Sequence, residues 1–126
     1  VELGLGRVVA TPADVDRFIR AYARGALTTP AIYAQQFTFR PGSSEPLGPG
    51  TNEAGLAIFR YASRCGTVYG HTGNTLGYTQ FAAATADGSR SVAVQINGQI
   101  TPTSSPEAFA QLLEVQTSAV CAALSA

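Results

Sequence analysis

Apolar and polar positions change their rhythm partway along the chain. Val15, Phe18, Ile19 and Tyr22 recur at i, i+3, i+4 and i+7, which predicts one apolar face of a helix. Thr11-Pro12-Ala13-Asp14 supplies its start: a capping hydroxyl, a proline for the first turn and an acid for the positive end of the helix dipole. Gly25 is a suitable stop. A second, short helix is expected from Thr29-Pro30 through Ala34. Residues 40–53, R-P-G-S-S-E-P-L-G-P-G-T-N-E, read as one long loop. After it the rhythm becomes that of strands, over 55–62, 67–72, 78–86 and 90–97. In the last of these Val92, Val94 and Ile96 alternate with Ser91, Ala93 and Gln95, so one face is buried. Asp87-Gly88-Ser89 predicts a hairpin between the last two strands. Ser105-Pro106-Glu107 then opens a helix over 105–125, with Phe109, Leu112, Leu113, Val120 and Leu124 on one stripe. The expected architecture is α/β in the α+β sense: three or four antiparallel strands packed against N- and C-terminal helices. Residues 1–126 read as one domain without internal repeats.

Composition narrows the function. The chain has 126 residues and is 45% hydrophobic, enough for one ordinary core. Eight arginines balance eight acids, and lysine is absent. With no excess of positive charge, a nucleic-acid partner is not expected. No apolar run approaches the roughly 20 residues of a membrane span. The opening V-E-L-G-L-G lacks methionine, which suits a processed product or a fragment. Cys65 and Cys121 are either two buried thiols or one long-range disulfide, and spacing alone leaves both open.

The candidate chemistry lies in V-Y-G-H-T-G-N-T-L-G, residues 68–77. His71, the one histidine, can carry a proton near neutral pH. Thr72 offers a hydroxyl, Gly73 lets a substrate backbone approach, and the Asn74 N–H can donate to a developing oxyanion. A lone histidine near a turn is more often structural, so the tripeptide by itself is a weak signal. The acids are scattered without metal-ligand spacing, and no metal or other cofactor is expected.

The stretch from Gly55 to Asn97, with H-T-G at its centre, resembles the C-terminal part of the penicillin-recognising serine hydrolases. That superfamily holds serine β-lactamases, D-alanyl-D-alanine carboxypeptidases and related esterases. The resemblance is closest to class C-like carboxypeptidases that carry H-T-G where most relatives have K-T-G. It extends upstream to G-R-V-V-A-T-P-A-D-V-D-R-F-I-R-A-Y and downstream to the terminal helix. It implies that His71 lines a cleft, that Thr72 binds a substrate carboxylate, and that the Asn74 N–H is half of an oxyanion hole. Gly73 and Arg60 would also meet substrate, Arg60 as a carboxylate binder whose facing depends on strand register. It further implies a Cys65–Cys121 disulfide and hence an exported, extracytoplasmic protein.

The family's other two motifs are missing from these residues. S-x-x-K is impossible without lysine, and no tyrosine or serine has asparagine two positions on. Ser43, Ser44 and Ser63 have no partner recognisable by sequence. Two expectations follow. The chain is the C-terminal portion of a serine hydrolase acting by an acyl-enzyme on a D-Ala-D-Ala peptide, a β-lactam or an ester, inactive by itself. Alternatively it is a non-catalytic binding or structural module. Either way an exposed sheet edge invites the N-terminal portion of a hydrolase, or a second copy.

Overall fold

The computed structural model describes residues 8–42 and 47–126. Helix α1, Pro12–Ala23, begins at Thr11, whose hydroxyl accepts from the Asp14 N–H while the Asp14 carboxylate reaches back to the cap. The expected apolar face divides in two. Ile19 and Ala23 are buried with Val15 against the sheet. Phe18 stays 58% exposed and stacks on Tyr22, with ring centres 6.0 Å apart. Gly25 takes the left-handed conformation (φ 74°) that ends the turn. Helix α2, Pro30–Gln36, is capped by Thr29 and runs two residues past the expected end at Ala34.

Five strands form one antiparallel sheet in the order β1-β2-β3-β4-β5. They are β1 Thr51–Ala54, β2 Phe59–Ser63, β3 Gly66–Thr75, β4 Tyr78–Ala84 and β5 Ser91–Ile96. The hairpin around Asp87-Gly88-Ser89 joins β4 to β5 as expected. Two expectations are corrected. The loop 40–53 ends in β1, a strand without an apolar alternation of its own, formed because Thr51–Ala54 pair with Phe59–Ala62. Arg40 adds an isolated bridge to Ala54. Expected strand residues 55–58 instead make a turn, closed by the Gly55 N–H donating to the Ile58 carbonyl, with Ala57 at φ 58°. Ser43 and Ser44 lie outside the described residues.

Helix α3, Pro106–Ser125, and α1 cover opposite faces. On β4, Phe81 and Ala83 join Val120, Tyr61 and Val68 in one core; Ala82 and Ala84 join Ile19 and Ala23 in the other. The alternation of a strand places these two sets on opposite sides. The result is an α+β domain in three layers. At Gly70 the strands β3 and β4 press together: a Cβ there would lie 2.6 Å from the Ala83 Cα.

One end of this sheet is heavily tied. Cys65, in the β2–β3 turn, is disulfide-bonded to Cys121 of α3, with Cα atoms 5.1 Å apart. Beside it the Arg64 guanidinium grips Glu114 through two hydrogen bonds of 2.6 and 3.0 Å. The Arg20 Nε–H donates to the Gly88 carbonyl at 2.8 Å, tying α1 to the β4–β5 turn.

Candidate functional site

At the other end β3 outruns its neighbour. Its pairing with β2 stops at Gly70 opposite Phe59, while its pairing with β4 continues to Thr75 opposite Tyr78. Two-residue turns close Ser63 with Gly66 and Thr75 with Tyr78. In an antiparallel ladder hydrogen-bonded pairs alternate. The amides of Gly73 and Thr75 therefore point to β4, and those of Thr72 and Asn74 to the side where β2 has ended. On that side no strand among the described residues pairs with Asn74.

The side chains sort by the same alternation. Tyr61 is fully buried beside Thr72, and its hydroxyl faces the Thr72 hydroxyl and N–H without a hydrogen bond of good geometry. Burial pushes this phenol up to about 12, and the nearby Thr72 groups offset part of the rise. His71 is exposed; its ring meets Phe59 edge-on at 5.1 Å, and its Nδ1 bonds to the Thr72 carbonyl. The Asn74 side chain is occupied. Its amide donates to the Ile100 carbonyl at 2.6 Å, and its oxygen accepts from the Thr79 hydroxyl at 3.3 Å. The Ile100 N–H in turn donates to that hydroxyl at 2.9 Å, so Asn74 and Thr79 pin the segment after β5 to the hairpin.

Arg60 does not join Tyr61 and Thr72. It lies one residue out of phase with Tyr61, so it falls on the other face of the sheet. There its guanidinium pairs with Glu53 of β1 and sits 5.3 Å from the centre of the Phe39 ring. That register separates Arg60 from Thr72 and leaves it on the face that carries Tyr69, its cross-strand partner, and His71. Ser63 is occupied in the β2–β3 turn, donating to the Gly66 carbonyl at 2.8 Å and accepting from the Cys65 N–H at 3.2 Å. Among the described residues, no group of three His, Cys, Asp or Glu side chains is placed to hold a metal, and no helix is long and apolar enough to cross a membrane.

The family model described as Beta-lactamase matches residues 2–117. The chain belongs to the beta-lactamase family. The structure of a D-stereospecific amidohydrolase from Streptomyces sp. is similar, with a TM-score of 0.60 and 28% identity. The match covers 69% of this chain and 25% of that one, so this beta-lactamase-family chain spans about a quarter of the amidohydrolase's length.

Two residues of this beta-lactamase-family chain escaped the reading from sequence. Tyr61 sits in a strand pattern that gives its hydroxyl no special place. Gln116 is polar, so a search for apolar stripes passes over it. Yet it is four residues from both Leu112 and Val120, on their seam, and only 1% exposed. That spacing was the one available signal.

Proposed function

We propose that these residues form one wall of the active site of a serine hydrolase, class C-like and of the H-T-G kind, with D-alanyl-D-alanine carboxypeptidase-type chemistry. The nucleophilic serine and its lysine come from outside the 126 residues. In the reaction the serine oxygen attacks the carbonyl carbon of a D-Ala-D-Ala peptide, a β-lactam or an ester. The carbonyl oxygen gains negative charge as the tetrahedral intermediate forms. The bond to the leaving nitrogen or oxygen then breaks, that atom takes a proton, and water hydrolyses the acyl-enzyme. The Asn74 N–H donates to the developing oxyanion, Thr72 holds the substrate carboxylate, and His71 supplies positive potential or passes a proton beside Gly73. The disulfide supports an extracytoplasmic setting. Strand β5, paired among the described residues only with β4, is where the N-terminal portion or a second copy adds its own strand.

The observation that carries this reading is the overhang of β3: Asn74 points its N–H away from β4 at a place where β2 no longer runs. Its test is a pair of substitutions in the full-length protein. Asn74→Ala removes the bonds to Ile100 and Thr79 but keeps the N–H. Asn74→Pro also removes the N–H, without breaking the ladder to β4. Loss of one oxyanion donor lowers kcat by about 100- to 1000-fold. Acylation by a fluorescent penicillin should therefore fall by that order in Asn74→Pro and stay within severalfold in Asn74→Ala. Equal rates in the two variants would remove Asn74 from the oxyanion hole, and no acylation of the unsubstituted protein would favour the binding-module reading.

A further inference from the structure

On the face covered by α3, a cleft of about 260 Å³ opens between the strand ends and the first half of that helix. Leu47, Pro102, Phe109 and Leu112 give it apolar walls, and Thr72 lines the strand side. Gln116 also lines it; this residue is 1% exposed, and its Oε1 has no hydrogen-bond partner among the described residues. An unpaired buried acceptor is costly, and native structures hold few of them.

The Asn74, Thr79 and Thr101 side chains beside it are already committed. Asn74 and Thr79 bond to each other and to Ile100. The Thr101 hydroxyl bonds to the Ser104 hydroxyl at 2.6 Å. No described residue lining the cleft is charged. An ionised ligand would enter unpaired, at heavy cost. The volume is small for a ligand site, but apolar cavities of about 150 Å³ already take benzene.

We propose that this cleft binds a small neutral ligand, an apolar one- or two-ring or branched hydrocarbon body carrying a single N–H or O–H donor. The body lies against Leu47, Phe109 and Leu112, and the donor bonds to the Gln116 Oε1. The cleft shares Thr72, Gly73 and Asn74 with the proposed active-site wall, and its acceptor comes from α3.

The probes are indole, which has one N–H donor, and benzofuran, the same shape with an acceptor oxygen in its place. Titration of the full-length protein, followed by amide chemical shifts, should show indole binding at least tenfold more tightly. The shifts should centre on Thr72, Leu112 and Gln116. In Gln116→Leu the two probes should bind within about twofold of each other, because the acceptor is gone. Equal affinity in the unsubstituted protein, shifts centred elsewhere, or no binding at millimolar concentration with an ordered water on Oε1 would each overturn the proposal. Should Gln116→Leu not fold, the affinity ratio and the shift map of the unsubstituted protein decide alone.

Discussion

From Gly66 to Val68, β3 pairs with β2; at Tyr69 and Gly70 it pairs with strands on both sides; and from His71 to Thr75 it pairs, among the described residues, with β4 alone. The first half carries Val68 into the core of Tyr61, Phe81 and Val120, and starts at the turn anchored by the disulfide and by Arg64 with Glu114. The second half has His71 and Asn74 exposed and ends in a turn where Leu76 is 71% exposed. One strand thus joins a stapled end, which supplies stability, to an open end, which leaves a backbone donor and a polar surface unused by the fold. Binding groups are found where rigid elements hold them but do not consume them. The overhang of β3 is such a place.

The sharpest way to break this contrast is to cut both ends. Phe81→Ala, in the core that Val68 enters from the stapled half, should cost about 3–5 kcal/mol. Leu76→Ala, at the open tip, should stay within about 0.5 kcal/mol. Urea denaturation of the two variants measures both, and equal costs would erase the distinction. Next in size is the staple itself. Replacing Cys65 and Cys121 together by serine releases a cross-link between residues 56 apart, worth about 4 kcal/mol in the chain-entropy account. The loss should appear in denaturation midpoints, with little change in acylation by the full-length protein under native conditions.

A third test lies on the boundary between the halves, where the Tyr61 hydroxyl faces Thr72. The unfolded phenol ionises near 10.0 and the folded one near 12, because burial disfavours the phenolate. Below pH 10 both states keep the proton, and this group makes stability independent of pH. Between those values the unfolded chain loses its proton first, so stability falls by roughly 2–3 kcal/mol and then levels off. Denaturation series from pH 9 to 12 should show that decline, and Tyr61→Phe should remove most of it. An unchanged slope in Tyr61→Phe would mean that the hydroxyl is not sealed at this boundary.

The elements with strong local signals were legible in the sequence. The capped starts of α1 and α2, the proline start of α3, the β4–β5 hairpin and the apolar face of β5 are written in residues that are neighbours in the chain. So was the general place of the candidate site, because H-T-G and its flanks are contiguous. Locally encoded features need no partner to be recognised: a threonine caps, a proline fixes φ and alternation marks a strand. What the tertiary structure decided is everything that depends on a partner distant along the chain. Thr51–Ala54 became a strand only by pairing with β2. Arg60 went to Glu53 and Phe39 because register, which no local pattern specifies, put it on the other face. Spacing left Cys65 and Cys121 undecided until β3 and α3 were packed together. Gln116 acquired its unpaired acceptor only when α3 closed over the sheet, since burial belongs to the assembled layers and not to any one segment.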